Sequence, residues 1–312
     1  MSRVLVTGGA GTIGSAVVRR LRAEGHDVRV ADQRQPADFT GDLRDYATAR
    51  RAMDGCDRVI HLAAIVGGIG NFHKFPFTLL ENNHGLYNAI FQAAVEHRPE
   101  RFTYVSSSMV FENATTFPTR EEDLPVTPAP WSAYGFSKLA GEVYCRAAHD
   151  EHGLRYTICR PFNAYGPGER PEDEPGIAHM VPDLIKKVLS GQKPLQIFGS
   201  GEQTRTLTYV DDIADGIVTA TFAEAGENED FNISAGEEMT VADIAHLIWE
   251  ECGEDPAAFE LEHLGSFEVD VQRRWPDVSK AARLLGWKAQ VPVREGIRRT
   301  VEWLRQEPEP AG

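Results

Sequence analysis

Two side chains capable of acid–base chemistry, Tyr134 and Lys138, are four positions apart in a segment predicted to be helical. Residues at i and i+4 share one face of a helix, so the phenol and the ammonium group would be neighbours. A free tyrosine has a pKa of about 10 and is a poor base at neutral pH, but a nearby positive charge favours the phenolate. The pair therefore predicts a tyrosine that exchanges a proton with a substrate hydroxyl.

A serine cluster supplies a second reactive group. The predicted strand 102–107 runs into Ser106, Ser107 and Ser108, which places hydroxyls at its carboxyl end. Ligands of open parallel sheets bind at that edge. A serine hydroxyl there could hydrogen-bond the reacting oxygen of a substrate.

A glycine-rich run follows the first predicted strand and opens the first predicted helix. Thr7–Gly14 satisfies both GxGxxG, from Gly9, and GxxGxxG, from Gly8. Such glycines let backbone N–H groups approach a pyrophosphate at a helix N-terminus. The residues expected to contact a dinucleotide are Gly8, Gly11, Thr12, Ile13 and Gly14.

The acidic residue Asp32 ends the second predicted strand, 18 residues after Gly14. A carboxylate there accepts hydrogen bonds from a ribose 2′-hydroxyl and repels a 2′-phosphate. The pattern predicts NAD rather than NADP as the cofactor, although the nearby Arg34 could accommodate a phosphate.

Two further segments are candidates for cofactor contact. Asp42 and Leu43 could reach the adenine, although Asp42 could equally cap the next helix. The small residues that end the predicted strand 58–64 would let the cofactor pass closely, and they are Leu62, Ala63 and Ala64.

The elements that must position these residues alternate along the first half of the chain. The fold class predicted is α/β, a Rossmann-type doubly wound parallel sheet with a smaller C-terminal substrate-binding lobe. NAD binding is assigned to residues 1–162 with a returning segment near 207–235, and substrate binding to 163–206 and 236–312. The predicted strands are 4–7, 28–32, 58–64, 102–107 and 156–161, and the predicted helices are 13–24, 43–53, 82–96, 132–152, 179–189, 211–222 and 241–251.

Composition narrows the setting in which the protein works. A net charge of −15 argues against nucleic acid or an anionic membrane as a partner. No apolar run approaches the length of a membrane span, and residues 1–7 lack a signal-peptide pattern. The four cysteines have no metal-ligand spacing, so we expect free thiols, no metal and a cytoplasmic location.

Taken together, these motifs make the chain resemble an extended short-chain dehydrogenase/reductase of the NAD-dependent nucleotide-sugar epimerase/dehydratase family. The resemblance covers nearly the whole chain. The segments that carry it are the glycine run, Asp32, 61–64, 106–112, Tyr134 with Lys138, 160–168, 203–206 and 277–287.

The resemblance implies roles for individual residues. Ser107, Tyr134 and Lys138 would be the catalytic triad, and Tyr134 and Lys138 would also contact the cofactor. Ser107 is chosen because the family's hydroxyl lies three residues before the valine of a Val-Tyr-Gly turn. That turn here reads Val110-Phe111-Glu112, which is a departure. The substrate, a nucleotide-diphosphate sugar, would be bound by Gly67, Gly68, Ser107, Ser108, Asn163, His179, Arg205 and Arg273.

The sequence determines the reaction less closely than it determines the family. The loop 64–70 resembles that of GDP-mannose 3,5-epimerases and GDP-fucose synthases, whose proton-moving cysteine is replaced here by Met109. His179 matches the second acid/base of the fucose synthases, or a diphosphate contact. The dehydratases and decarboxylases carry a carboxylate around positions 108 and 109, where this chain has Ser108 and Met109. What remains is C4 epimerisation, which needs only the triad and NAD.

Two alternatives and one assembly remain open. The chain could be a GDP-sugar 3,5-epimerase or 4-reductase that works without the cysteine, or a non-catalytic NAD(H)-binding regulator. The resemblance also implies a homodimer that pairs through helices 82–96 and 132–152. Apolar residues that could form its seam, or equally the intramolecular core, are Leu86, Ile90, Val143 and Ala147.

Overall fold

A computed structural model describes residues 1–66, 74–171, 179–265 and 271–306. Its centre is a seven-stranded, fully parallel sheet with the order β11-β6-β5-β4-β1-β2-β3. The strands of the described residues are β1 (Arg3–Thr7), β2 (Asp27–Asp32), β3 (Phe39–Thr40), β4 (Arg58–His61), β5 (Arg101–Val105), β6 (Tyr156–Pro161), β7 (Ala164–Tyr165), β8 (Leu195–Phe198), β9 (Thr204–Arg205), β10 (Thr208–Tyr209), β11 (Glu229–Ile233), β12 (Met239–Thr240) and β13 (Leu261–Leu264).

Helices cover both faces of the sheet, which explains why its strands are apolar runs rather than alternating patterns. In β1, Val4, Leu5 and Val6 are all fully buried. The α-helices of the described residues are α1 (Thr12–Ala23), α2 (Tyr46–Met53), α3 (Pro76–His97), α4 (Ala133–His152), α5 (Met180–Leu189), α6 (Val210–Phe222), α7 (Val241–Glu251), α8 (Ser279–Leu285) and α9 (Val293–Gln306).

Three apolar clusters organise the molecule. One packs α2, α3 and α4 against one face of the sheet, and a second packs α1 and α6 against the other. The third lies in the C-terminal lobe, where α5, α7 and α9 surround β8 and β10. The α/β fold class predicted from the sequence is confirmed.

Several helices and strands begin or end at residues other than those predicted from the sequence. Helix α2 begins at Tyr46 rather than Leu43 because Asp45 caps it, accepting a hydrogen bond from Thr48 N at 2.8 Å. Strand β4 ends at His61, and α3 begins at Pro76, six residues before the predicted start. Helices α8 and α9 were not predicted, although Val293, Ile297 and Val301 have helical spacing and are buried.

Part of the predicted dimer seam is intramolecular. Leu86 and Ile90 are buried between α3 and the sheet, so they are unavailable to a partner. Val143 and Ala147 on α4 are exposed. Among the residues that the structure describes, no helix combines the length and apolarity needed to cross a membrane. All four cysteines are buried free thiols.

Candidate active site

One large cavity, about 1050 Å³, lies between the carboxyl edge of the sheet and the C-terminal lobe. Its lining collects residues that are far apart in sequence. Predicted site residues in the lining are Gly8, Gly11, Thr12, Ile13, Gly14, Asp32, Leu43, Leu62, Ala63, Ala64, Ser107, Ser108, Tyr134, Lys138, Asn163, His179 and Arg205. Gly67 and Gly68 lie outside the described residues.

The glycine run forms a close-packed turn under the first helix. A Cβ atom at Gly14 would lie 2.1 Å from Gly8 O, and one at Gly8, whose φ is +71°, would lie 2.8 Å from Ala63 N. Gly11 is the N-cap residue of α1. Only glycine fits these approaches, and the resulting helix N-terminus faces the cavity, as a pyrophosphate requires.

Asp32 stands beside this turn at the end of β2 and is only 9% exposed. Its carboxylate accepts hydrogen bonds from Ala10 N at 3.0 Å and Arg34 N at 2.9 Å, so its position is fixed by the backbone. The Arg34 guanidinium is largely exposed and lies 3.8 Å from it. A carboxylate held in this way fits a ribose diol at the cavity wall.

Asp42 occupies a different place from the one expected. It lies outside the cavity lining, where its carboxylate receives hydrogen bonds from the guanidinium of Arg44, the shortest at 2.6 Å. Arg44 does line the cavity, and it also donates to Asn82. Of the two predicted residues, Leu43 faces the cavity and Asp42 orients an arginine at its rim.

A buried histidine supports the segment 62–64. His61 Nδ1 lies 2.7 Å from Thr7 Oγ1, which also accepts a hydrogen bond from Ala63 N at 3.2 Å. Burial lowers the pKa of His61 to about 3, and the charge of Lys138 adds to that effect. The ring is therefore neutral and acts as a spacer that holds 62–64 against the glycine turn.

The catalytic candidates meet in the middle of the cavity. Ser107 hydrogen-bonds with Tyr134, and Lys138 Nζ lies 5.9 Å from the centre of the Tyr134 ring. Lys138 Nζ also donates to Val105 O at 2.9 Å, which ties α4 to the end of β5. Serine, tyrosine and lysine are thus brought together as the resemblance implies.

Electrostatics at Tyr134 differ from the simple expectation. Burial has the largest effect and raises the pKa of Tyr134 to about 12, against the lowering effects of the Ser107 hydrogen bond and the charge of Arg274. Burial also lowers the pKa of Lys138 to about 8. The site therefore favours a protonated phenol, and further positive charge is needed to make it a base.

A buried ion-pair network lies directly beneath the triad. Glu142, one helical turn after Lys138, accepts two 2.7 Å hydrogen bonds from Arg160, and neither side chain has any exposed surface. Ser106 Oγ donates to the same carboxylate at 2.7 Å. Arg160 also reaches Asp230 at 2.5 Å. This network fixes α4, β5, β6 and β11 relative to one another.

Glu112, the residue that departs from the family turn, lines the cavity and was not assigned a role from sequence. Both of its carboxylate oxygens accept from Ser132 N at 3.2 Å, and Ser132 Oγ donates to it at 2.5 Å. Ser132 in turn caps α4 by accepting from Gly135 N. Glu112 therefore holds the N-terminus of the helix that carries Tyr134.

In the C-terminal lobe, the arginine that lines the cavity is one residue after the arginine predicted to bind the substrate. The Arg273 guanidinium pairs with Glu238 at 2.6 Å and lies outside the cavity lining, whereas Arg274 lines it. Arg274 also reaches Asn163 Oδ1 at 3.4 Å. The two arginines are adjacent in a segment without regular secondary structure, so sequence alone could not tell which of them faces the cavity.

His179 lines the cavity paired with an unpredicted carboxylate. Its Nδ1 hydrogen-bonds with Glu169 Oε1. Desolvation lowers the pKa of His179, but the charge and hydrogen bond of Glu169 outweigh it, and the net direction is upward. A second unpredicted pair, Asp183 and Lys187, lines the cavity farther along α5; its i,i+4 spacing was a signal available in the sequence.

Comparisons with known proteins agree with this geometry. The profile of the NAD dependent epimerase/dehydratase family matches residues 4–234. UDP-glucuronic acid decarboxylase 1 of Xenopus tropicalis is 30% identical over 98% of this chain and 72% of its own length. GDP-mannose 3,5-epimerase 1 of Oryza sativa subsp. indica is 28% identical over 98% and 82%. The crystal structure of UDP-glucose 4-epimerase from Thermotoga maritima with UDP-glucose has a TM-score of 0.87 and 31% identity over 97% and 99%.

The protein therefore belongs to the NAD dependent epimerase/dehydratase family. Its cofactor is NAD, which fits the glycine turn and the backbone-held carboxylate of Asp32.

Proposed function

We propose that this protein is a nucleotide-sugar epimerase that inverts C4 through a transient 4-keto sugar. The observation that carries the proposal is the wall beside the triad. Ser107, Tyr134 and Lys138 meet in the cavity, while the neighbouring Ser108 and Met109 supply a hydroxyl and a thioether. A thioether cannot move a proton, and the Glu112 carboxylate, which also lines the cavity, is engaged by Ser132 N and Oγ, so chemistry that stays at one hydroxyl-bearing carbon fits this wall best.

NAD, when bound at residues 8–14 and Asp32, supplies the acceptor and later the donor of the hydride. Tyr134 Oη takes the proton of the 4-hydroxyl and returns it at the end of the cycle. Ser107 hydrogen-bonds the oxygen at C4 as its charge changes. Lys138, fixed by its bond to Val105 O, holds a positive charge near the phenol.

The two parts of the chain would then divide the work. Residues 1–162 and the segment near 207–235 bind NAD, and residues 163–206 and 236–312 bind the nucleotide-diphosphate end of the substrate. Arg205 and Arg274 are the cavity cations that suit a diphosphate, with Asn163 beside Arg274.

A GDP-sugar 3,5-epimerase or 4-reductase is the second candidate. The observation that favours it is the Glu169–His179 pair, because a carboxylate that raises the pKa of a histidine makes a usable acid. Epimerisation at C3 or C5 exchanges those hydrogens with solvent, so a C4 epimerase and a 3,5-epimerase predict different products in D₂O.

The proposed setting is a homodimer in the cytoplasm, with neither nucleic acid nor membrane as a partner. Exposed apolar side chains on α4, Phe136 and Val143, would form part of the dimer seam, with Ala147 beside them. A monomeric mass by light scattering at micromolar concentration would contradict the dimer.

The test is product analysis with a panel of UDP-, dTDP-, CDP- and GDP-sugars in D₂O. C4 epimerisation predicts an inverted sugar without deuterium at C3 or C5. Deuterium at C3 or C5 would reject it and support the 3,5-epimerase, with His179→Asn as the follow-up variant. No turnover of any nucleotide sugar by protein that binds NAD would favour a non-catalytic regulator.

A further inference from the structure

We use the word compartment for the part of the cavity that is lined by α5, β8 and the start of α7 in the C-terminal lobe. Apolar side chains form much of its wall, and one ion pair stands among them. Asp183 and Lys187, one turn apart on α5, are joined at 2.8 Å, with side chains only 14% and 11% exposed. The apolar lining residues of this compartment are Leu184, Ile197, Phe198 and Val241. Apolar walls with a largely buried ion pair suit a nucleobase better than a sugar.

The hydrogen-bonding capacity of this pair can be counted. Lys187 Nζ has three N–H donors. Nζ pairs with Asp183 Oδ2, donates to Gln196 O at 3.1 Å and lies 5.4 Å from the centre of the Phe198 ring, which leaves at most one N–H for a ligand. Among the described residues, no hydrogen bond reaches Asp183 Oδ1. The compartment therefore offers one donor beside a carboxylate that can accept two hydrogen bonds.

We infer that this compartment selects guanine, so that the substrate is a GDP-sugar. This inference rests on the proposed function only in assuming that the ligand is a nucleotide-diphosphate sugar. Along its pairing edge guanine presents an acceptor, O6, followed by two donors, N1–H and N2–H. Lys187 matches O6, and the carboxylate of Asp183 matches the two donors.

The other bases leave a mismatch at the same edge. Uracil and thymine match Lys187 with O4 and Asp183 with N3–H, but their O2 then faces a carboxylate oxygen. Cytosine and adenine place an amine against Lys187 and a ring nitrogen lone pair against Asp183. A buried polar group left without its partner weakens binding, and a charged one does so most.

The experiment measures binding to the NAD-loaded protein by calorimetry, with nucleoside diphosphates as probes. GDP should bind about 10-fold or more tightly than UDP, dTDP or CDP, as expected for one additional charge-assisted hydrogen bond. Inosine diphosphate, which lacks only the 2-amino group, should bind about 10-fold more weakly than GDP. In Asp183→Asn the difference between GDP and inosine diphosphate should disappear.

The matched control is Asp150→Asn, which removes an exposed carboxylate on α4 and should leave all affinities unchanged. Equal or tighter binding of UDP or dTDP, or equal binding of GDP and inosine diphosphate by the native protein, would overturn the inference. Because the inosine comparison uses native protein, it holds even if Asp183→Asn fails to fold. Selective GDP binding without turnover of GDP-sugars would reject the proposed function alone, and turnover of UDP-sugars without GDP selectivity would reject this inference alone.

Discussion

The two ends of the cavity are built in different ways. The cofactor end is made from one contiguous segment, Thr7–Gly14, together with Asp32 on the adjacent strand, and its key groups are backbone atoms. The substrate end is made from side chains of α5, β8, β9 and the segment around Arg274. The cofactor end is thus specified by local sequence, whereas the substrate end exists only after the C-terminal lobe has packed.

This difference suggests that one end serves the whole family and the other distinguishes its members. Backbone N–H groups and glycines recognise a pyrophosphate whatever the reaction. Ion pairs such as Asp183–Lys187 and Glu169–His179 can change without disturbing the fold. Variants at each end, and at the triad between them, should therefore separate cofactor binding, substrate binding and chemistry.

The largest effect on turnover is expected at Tyr134, in the triad between the two ends. Tyr134→Phe keeps the ring and removes the hydroxyl, so it should reduce turnover by about 10²-fold or more, as expected for a positioned acid/base. Titration with NAD should give an unchanged affinity, because the phenol belongs to the reacting centre rather than to the cofactor turn. Retention of more than a tenth of native turnover would show that another group moves the proton.

The cofactor end can be broken on its own by Gly14→Ala. The added Cβ would lie 2.1 Å from Gly8 O, so the turn must open and its N–H groups lose their alignment. Affinity for NADH, measured by fluorescence, should fall about 10²-fold, as expected for the loss of about two charge-assisted hydrogen bonds. Gly265→Ala is the control, since nothing lies within 4 Å of a Cβ at that position. Native affinity in Gly14→Ala would contradict the close-packed turn.

The backbone geometry of the cofactor end can be predicted from sequence because its signals are local. Short-range sterics place the glycine turn after its strand and the acidic residue at the end of the next strand. In the same way, the i,i+4 spacing places Tyr134 and Lys138 on one face of their helix. The burial that raises the pKa of Tyr134 to about 12 could not be predicted, because it depends on packing by distant segments. Glu112 illustrates the same limit: its departure was visible, but its partner Ser132 is 20 residues away.

At the substrate end, two variants test which of two adjacent arginines, Arg273 or Arg274, binds the substrate. Arg274→Met should raise the KM for a nucleotide sugar about 10- to 100-fold, since a cavity arginine that binds a diphosphate makes charge-assisted hydrogen bonds. Arg273→Met removes the neighbouring charge, but the contacts it breaks, with Glu238 and with the rings of Phe117 and Trp275, all lie outside the cavity lining, so KM should change less than about 3-fold. The reverse order of the two effects would restore the assignment made from sequence. NAD affinity should be unchanged in both variants, because neither arginine lies at the cofactor end.

The smallest effect on turnover is expected for Glu112 and Ser132, which hold the start of α4. Glu112 and Ser132 act through the same hydrogen bonds on the helix turn that carries Tyr134. Glu112→Gln should lower turnover about 3- to 10-fold without changing NAD affinity or KM, because a weaker clamp lets the phenol leave its reactive position. Ser132→Ala should do the same, with an additional loss of about 1 kcal/mol in the free energy of unfolding from the lost cap.

If the two residues position Tyr134 together, the double variant should turn over no more slowly than the slower single variant. Multiplicative losses would show that they act independently, and a change confined to KM would make Glu112 a substrate contact instead.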